Sequence, residues 1–265
     1  MAQTSALSVK HLKVTIPEKN ASFLHGVTFE IKKGRVLGLV GESGSGKTLT
    51  SLAILGLLPP SLHAQGSIRY AGKNLLTISQ KEWQSIHGQE IASIFQNPMS
   101  AFDPIFTIGS QMVETIQSHQ RISKSLAQEK AIKALQTFQL RDAEAIFHQF
   151  PFQLSGGMLQ RVMIALIFVL KPSFLVADEP TTALDSVNQK IVLDELEKLS
   201  LETGMGMLLV THDLSVLYRM AHEVIVLENG RIVEHASTQE LFFRPQHPYT
   251  QKLLSSSRRI RGEFR

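Results

Sequence analysis

The sequence predicts an α/β fold whose core of buried strands is interrupted by a helical insertion. Short apolar runs, typical of fully buried parallel strands, occur at residues 35–40, 174–177, 207–211 and 224–227. Residues 105–148 show a mostly helical pattern with little strand signal. We therefore predict a core at 1–96 and 172–235, a helical part at 97–171, and a C-terminal extension at 236–265.

Composition limits the class of protein. The 265 residues suit one large α/β domain or a core with a subdomain, and 43% hydrophobic with 19% charged residues is globular. The net charge of +4 does not by itself indicate nucleic acid. Cysteine is absent, which excludes disulfides, thiolate metal sites and iron–sulfur clusters. Residues 1–5 show no secretory signal, and the longest apolar run, 162–170, is about half a membrane span.

The N-terminal elements follow from local patterns. Residues 8–16 and 23–31 alternate apolar and polar side chains, which predicts two half-buried strands. A helix is predicted from about Lys47 to Leu58, where Pro59-Pro60 would end it. Residues 66–72 then form a short strand between glycine turns.

A glycine-rich loop joins the strand at 35–40 to that helix. It has the P-loop pattern G-x-x-x-x-G-K-T and reads Gly41, Glu42, Ser43, Gly44, Ser45, Gly46, Lys47 and Thr48. The glycines let successive N–H groups point at phosphate oxygens, and the helix N-terminus adds a positive dipole end. Lys47 would reach the β- and γ-phosphates, and the Thr48 hydroxyl would hold Mg²⁺. The loop therefore predicts binding of a nucleoside triphosphate.

Two adjacent carboxylates follow the apolar strand at 174–177. Open α/β sheets bind ligands beyond the carboxyl ends of their strands, so Asp178 and Glu179 are candidates for the same site. Because side chains alternate along a strand, we expect the two not to face the same point. We predict that Asp178 serves Mg²⁺ through water and that Glu179 is the general base that polarises the attacking water.

Two further polar residues follow strand-like runs. His212 comes after the apolar run that begins at Met207 and can donate to a γ-phosphate oxygen. Gln96 comes after the apolar stretch 91–95, and its neutral side chain can meet Mg²⁺ or the attacking water. Both are predicted as catalytic residues, and Gln96 also as a metal ligand.

A second phosphate-binding turn precedes the apolar run that ends at Leu170. Ser155 is a good helix N-cap, and the pair Gly156-Gly157 allows the backbone to approach an anion closely. One nucleotide does not need two such turns on separate segments. The second turn is therefore predicted to act in trans, on a nucleotide held by another subunit.

Together these motifs resemble the ATP-binding subunit of an ABC transporter, over about residues 7 to 235. In family order they are the Walker A loop 41–48, the Q-loop Gln96, the signature 155–158, Walker B 174–179, the D-loop 183–185 and the switch His212. The resemblance implies a P-loop NTPase (RecA-like) core with an antiparallel β subdomain and an inserted α-helical subdomain. It adds Asp185 to the nucleotide-contacting residues.

The resemblance also implies cofactors and partners. Two ATP molecules, with Mg²⁺, would lie between two cassettes arranged head to tail. Two transmembrane permease subunits would dock around residues 97–112, and an extracytoplasmic substrate-binding protein would act indirectly. The chain would be a peripheral subunit at the cytoplasmic face of the bacterial inner membrane.

Two positions depart from the family pattern. The signature carries Met158 where glutamine is usual, which removes one expected polar contact. The loop that usually supplies an aromatic residue against adenine reads Ile16-Pro17-Glu18 here. Phe23 is the nearest candidate, although its alternation with Val27 is more typical of a core residue.

The segments 96–104 and 244–250 resemble the dipeptide, oligopeptide and nickel importers. Because the chain lacks the longer, cysteine-bearing extension common in peptide-importer ATPases, we prefer nickel or another metal-chelate as cargo, with peptides as the alternative. The ten histidines form no tight cluster and do not predict a nickel site. A heterodimer with a second ABC ATPase is expected over a homodimer.

Other functions fit the sequence less well. A soluble ABC ATPase acting on DNA or ribosomes would usually carry tandem cassettes, long coiled coils or zinc modules, so no nucleic-acid partner is predicted. A regulatory cassette without catalysis would commonly have lost Lys47, Glu179 or His212. The basic end, 258–261, is expected to be solvated, with lipid phosphates as the alternative contact.

Overall fold

The computed structural model describes residues 5–19 and 21–256. The start of the chain and the basic end at 258–261, on which two of the predictions fall, lie outside these ranges. Within them, the strands are β1 (Ser5–Ile16), β2 (Ala21–Lys32), β3 (Val36–Val40), β4 (His63–Tyr70), β5 (Lys73–Asn74), β6 (Ile91–Ile94), β7 (Phe174–Asp178), β8 (Gly206–Val210), β9 (Glu223–Glu228) and β10 (Arg231–Ser237).

The helices connect these strands and fill the middle of the chain. They are α1 (Lys47–Leu55), α2 (Gln80–Ile86), α3 (Ile108–His119), α4 (Lys124–Thr137), α5 (Ala143–His148), α6 (Gly156–Leu170), α7 (Ser186–Thr203), α8 (Leu214–Met220), α9 (Thr238–Phe243) and α10 (Pro248–Ser256).

The strands form two sheets. An antiparallel sheet has the order β2-β1-β4-β5, and a larger sheet has the order β10-β9-β3-β8-β7-β6. In the larger sheet, β9, β3, β8, β7 and β6 run parallel, and only β10 is antiparallel to its neighbour. The predicted α/β core with an antiparallel β subdomain is confirmed, and the carboxyl ends of the parallel strands meet at one edge.

Both faces of the larger sheet are buried, as the apolar runs predict. On β3, Leu37 and Leu39 pack into a cluster shared with the antiparallel sheet and α1, whereas Val36 and Val40 pack into a second cluster with the helices. The P-loop helix α1 thus lies between two sheets, with Ile54 completely buried. This packing fixes the end of β3, where the P-loop begins.

The helices α3 to α6 form the second part of the fold. On α4, Ala127, Ala131 and Ala134 are buried and line one face, so neighbouring helices approach closely. The run 162–170 lies within α6, which ends where Lys171 adopts a left-handed conformation. The division of the chain at 96–97 and 171–172 remains a prediction.

The predicted end of the first helix is wrong. Helix α1 ends at Leu55 rather than at Leu58, because Gly56 adopts a left-handed conformation with φ 67° and caps the last turn. The N–H of Leu57 then donates to the carbonyl of Leu52 at 2.9 Å, as in a Schellman motif. The glycine therefore stops the helix before the prolines can.

Across the described ranges, every helix is too short or too polar to cross a bilayer.

Candidate nucleotide-binding site

The P-loop forms a cradle that is closed by backbone contacts. Gly44 and Gly46 adopt positive φ angles of 80° and 108°. A side chain at Gly41 would place its Cβ 2.2 Å from the carbonyl oxygen of Leu227, so only glycine fits there. The carbonyl of Ser45 accepts the N–H of Gly230 at 2.9 Å, which braces the loop against the β9–β10 turn.

The ammonium group of Lys47 lies folded over this loop. Its Nζ donates to the carbonyls of Gly41 and Glu42, at 2.8 and 2.9 Å. Burial lowers the pKa of Lys47 below its ordinary value, and the carboxylates of Glu179 and Asp178 oppose that shift. The site therefore holds a desolvated cation at the position where the sequence predicts β- and γ-phosphates.

Asp178 is the last residue of β7 and faces the same pocket. Burial, and then the neighbouring Glu179 carboxylate, raise the pKa of Asp178 to about 6, although Lys47 acts to lower it. A buried carboxylate with a raised pKa is one that a nearby cation would return to its ionised form. This environment suits a residue that serves a metal ion.

Glu179 lies just beyond the strand in a left-handed conformation, with φ 51°. Its Oε1 accepts the N–H of His212 at 3.0 Å and lies 2.7 Å from Nδ1 of the same residue. Its Oε2 accepts the hydroxyls of Thr182, at 2.8 Å, and Thr211, at 3.3 Å. The carboxylate is thus almost completely buried and held in one orientation.

The expectation that Asp178 and Glu179 would not face the same point is wrong. Strand alternation holds only in extended backbone, and the left-handed turn at Glu179 brings both carboxylates into one pocket. The pocket combines residues from six segments of the chain: Phe23, Gly41, Glu42, Ser43, Gly44, Gly46, Lys47, Thr48, Leu49, Gln96, Asp178, Glu179, His212 and Leu253. Ser45 is buried and does not line the pocket.

The residues of this pocket fit a magnesium nucleotide. The Ser45 hydroxyl is buried and has no hydrogen-bond partner among the described atoms, and a Cβ atom would collide with neighbouring atoms at Gly41 and Gly46. The hydroxyl of Thr48, the amide of Gln96 and the carboxylate of Asp178 supply hard oxygen atoms. Among the described residues, no cluster of three or more acids and histidines could cage a metal alone. This suits Mg²⁺, which is usually shared between one or two protein oxygens and phosphates.

The second predicted turn lies in a separate pocket. Ser155 caps α6, and its Oγ accepts the N–H of Met158 at 3.3 Å. The pocket is lined by Ser155, Gly156, Gly157, Arg161, Ala183, Leu184, Asp185 and Asn188, none of which lines the P-loop pocket. Asp185 therefore lies in the pocket of the second turn. Its carboxylate caps α7 by accepting the N–H of Asn188 at 2.9 Å.

The unusual signature residue does not face this pocket. The Met158 side chain packs against the helical core cluster, so the turn offers its Ser155 hydroxyl and glycine backbone without an amide beside them. Two residues after it, Gln160 is fully buried and donates to the carbonyl of Pro180 at 2.9 Å. This bond ties α6 to the segment that follows Glu179.

Residues 24–182 match the ABC transporter family. The chain belongs to this family. Residues 233–265 also match the C-terminal region of oligopeptide and dipeptide transporters, which confirms the importer branch. The chain is the ATP-hydrolysing subunit of an ABC importer, as the motifs indicated.

Relatives of known name are similar over most of the chain. The metal-staphylopine import system ATP-binding protein CntD of Staphylococcus aureus is 38% identical over 98% of this chain and 96% of its own length. The oligopeptide transport ATP-binding protein AmiE of Streptococcus pneumoniae is 44% identical over 91% of this chain and 68% of its own length. A dimeric ATP-binding cassette, solved in a post-hydrolysis state with ADP and phosphate, superposes with a TM-score of 0.79 at 27% identity, over 88% of this chain and 98% of that chain.

Some residues of this site were misinterpreted or missed by the sequence analysis. Phe23, the nearest candidate beside adenine but thought more typical of a core residue, is 40% exposed and lines the P-loop pocket, so the core interpretation is wrong. Strand alternation fails there because β1 and β2 pair with register shifts near their shared end. Tyr249 and Leu253 reach the P-loop from α10, and no local pattern in the sequence signals that contact. Thr182 and Thr211 adjoin predicted residues and could have been found by that proximity.

Proposed function

We propose that this importer ATPase binds MgATP between its own P-loop and the Ser155 turn of a second cassette. The observation that carries the proposal is the separation of the two phosphate-binding turns. Each has its own pocket, built from its own set of residues. One chain thus presents two half-sites, and a head-to-tail pair would complete both.

In the P-loop half-site, Thr48, Gln96 and Asp178 would hold Mg²⁺. The bound ion would neutralise charge on the β- and γ-phosphates. Lys47, already desolvated, would stabilise the same charge as it develops. These residues would position and polarise the phosphates, and the Gln96 amide can also meet the attacking water.

Glu179 would accept the proton of that water. His212, Thr182 and Thr211 together occupy the four lone pairs of its two oxygens, so the attacking water would take the place of one of these donors. The His212 side chain is 68% exposed beside this buried carboxylate. It can therefore also donate to a phosphate oxygen at the open side of the pocket.

The membrane subunits would dock on the start of the helical part. Within the predicted range 97–112, Met99, Ile105 and Phe106 are apolar side chains exposed by 43%, 70% and 51%. Exposed apolar side chains that lie close together are typical of a protein interface. We infer that two permease subunits cover this surface and hold the ATPase at the cytoplasmic face of the inner membrane, as a peripheral subunit.

For the cargo we propose nickel or another metal held by a small chelator. The similarity to the metal-staphylopine import ATPase extends over nearly the full length of both chains. The similarity to oligopeptide transport ATPases is higher in identity but covers less of those proteins, and it keeps peptides as the second candidate. The cargo would reach the permeases from an extracytoplasmic binding protein, and the partner cassette would be a different ABC ATPase.

Cellular uptake tests this function. The gene is deleted in the native host, and uptake of radioactive nickel is compared with uptake of a labelled dipeptide. We expect nickel uptake to fall to background and to return with the wild-type gene or with Lys81→Ala, a surface control, but not with Lys47→Ala. Loss of dipeptide uptake alone would assign the peptide function, and normal uptake of both would contradict the proposed import role.

A further inference from the structure

Helix α10, which lies far from the P-loop in sequence, contacts the P-loop and its pocket in the structure. We propose that α10 is part of the nucleotide-binding site, with Tyr249 as a positioning residue for the P-loop and Leu253 as part of the pocket wall. This inference rests on the proposed function, because it concerns the same pocket. It gives a role to the C-terminal region, which lies outside the motifs of the cassette.

The segment that leads into helix α10 is held in place by contacts outside the P-loop. On β10, the carboxylate of Glu234 accepts the N–H groups of Gln246 and His247, at 2.8 and 3.0 Å. Burial acts to raise the pKa of Glu234, but these donated bonds prevail and hold it below its ordinary value. Pro248 then starts the helix, a position that proline favours, and Thr250 is fully buried. The helix is therefore anchored independently of the nucleotide pocket.

From this anchored helix, Tyr249 contacts the second residue of the P-loop. Its hydroxyl oxygen accepts the N–H of Glu42 at 2.8 Å. The carbonyl of the same Glu42 accepts the Lys47 ammonium at 2.9 Å. Glu42 is thus fixed on one side by α10 and on the other by the lysine predicted to bind phosphates. A change in the Tyr249 bond would alter the backbone on which Lys47 rests.

One turn further along α10, Leu253 lines the P-loop pocket together with Phe23. These two side chains and Leu49 are apolar, whereas the pocket otherwise presents the P-loop and the polar residues of the strand ends. Apolar walls beside a few converging polar groups are typical of nucleotide and other small-molecule pockets. We place the apolar part of the nucleotide against this wall.

A purely structural role for α10 makes a different prediction. In that case, Tyr249→Phe would lower stability and leave nucleotide affinity unchanged. A positioning role instead predicts a higher KM for ATP with little change in kcat, at unaltered melting temperature. Tyr218→Phe is the matched control, because Tyr218 packs its ring on Phe242 and Phe243 and does not line the P-loop pocket.

Binding is measured on the purified full chain with a fluorescent ATP analogue, and KM and kcat are measured on the chain assembled with its partner cassette. We expect Tyr249→Phe to weaken binding by about 2- to 10-fold, the effect of one lost hydrogen bond, with kcat within about twofold of wild type. Leu253→Glu should weaken binding by about tenfold relative to Gln251→Glu, because only the former places a carboxylate in the phosphate pocket.

The outcomes separate this inference from the proposed function. Affinity for Tyr249→Phe equal to that of Tyr218→Phe, or equal affinities for Leu253→Glu and Gln251→Glu, would overturn the role of α10. If the wild-type chain itself fails to bind the ATP analogue, the proposed function falls as well. Weaker binding by both α10 variants, with both controls unchanged, would establish the inference.

Discussion

The two phosphate-binding turns of this ABC cassette are built differently. The P-loop half-site is braced by backbone contacts and groups a partly buried cation, Lys47, with the carboxylates of Asp178 and Glu179 in mutual electrostatic contact. The Ser155 half-site is open: Ser155, Gly156 and Asp185 are all exposed, and the local carboxylate is used to cap a helix. Under the proposed function, the first half-site binds and activates ATP, whereas the second completes a site on another chain.

The largest effect should come from the buried base of the first half-site. We expect Glu179→Gln to lower kcat by roughly 10²–10⁴, the usual contribution of a general base, while ATP affinity stays near wild type. The amide keeps the shape of the side chain but cannot take a proton. Turnover and binding of a fluorescent ATP analogue are measured side by side.

Glu144→Gln, an exposed substitution on α5, serves as the control for charge and shape. A Glu179→Gln enzyme that hydrolyses ATP at the wild-type rate would remove Glu179 from the proposed mechanism. The first half-site would then bind ATP without supplying the general base, and the two half-sites would differ less in function.

A smaller effect is expected from the open half-site. Ser155→Arg in one cassette of an assembled pair should lower hydrolysis by roughly 10- to 100-fold at the partner's nucleotide, and much less at its own. The bulky cation would fill the turn that faces the partner's phosphates. Ser123→Arg is the matched control, because Ser123 also caps a helix, through the N–H of Leu126 at 3.2 Å, and does not line this pocket.

The measurement is the rate at each site of a pair in which one P-loop at a time carries Lys47→Ala or its equivalent. Equal loss of hydrolysis at both sites would argue that the Ser155 turn acts within its own chain, and the distinction between the half-sites would fail.

These expectations depend on features that the sequence revealed to different degrees. The P-loop, the strand ending at Asp178 and the cap at Ser155 follow from short patterns, because the same few residues determine local backbone and chemistry. The fold class followed from apolar runs of the right length. The left-handed turn at Glu179 could not be predicted, since no glycine marks it.

Contacts between distant segments were beyond sequence reasoning. Tyr249 and Glu42 are 207 positions apart, and their hydrogen bond depends on how β10 and α10 are packed. The exposed position of Phe23 depends on irregular pairing of β1 with β2, which alternation alone does not reveal. Local patterns therefore predict the residues of the two half-sites, whereas tertiary packing determines which distant residues contact them.

The smallest effect concerns the charge of Asp178. Its pKa of about 6 lies above the ordinary value of 3.8, so the folded chain disfavours the ionised form. The free-energy cost of ionising Asp178 in the folded chain is absent when the pH lies below the ordinary pKa of 3.8, and it reaches its full size above about pH 6. Asp178→Asn should therefore raise the free energy of unfolding by about 1–2 kcal/mol at pH 7.5, after allowance for partial exposure.

Chemical denaturation in the absence of nucleotide measures this gain, and the same comparison at pH 5 should show a smaller one. Because bound Mg²⁺ favours the ionised form of Asp178, wild-type ATPase activity should begin to fall only below about pH 6. A lower free energy of unfolding for Asp178→Asn than for the wild type at pH 7.5 would contradict the conclusion that the ionised Asp178 carboxylate destabilises the fold.

The central claim is that one triphosphate is held by two chains, and disulfide trapping tests it most directly. Because the chain has no cysteine, Ser43→Cys gives it a single thiol, and Gly156→Cys in its partner, or the equivalent turn of a different partner freed of its own cysteines, gives the second. A side chain at Gly156 meets open space, so the substitution fits. In a Glu179→Gln background, the account predicts an interchain disulfide that forms only with ATP. Saturating ATP binding without that disulfide would contradict it.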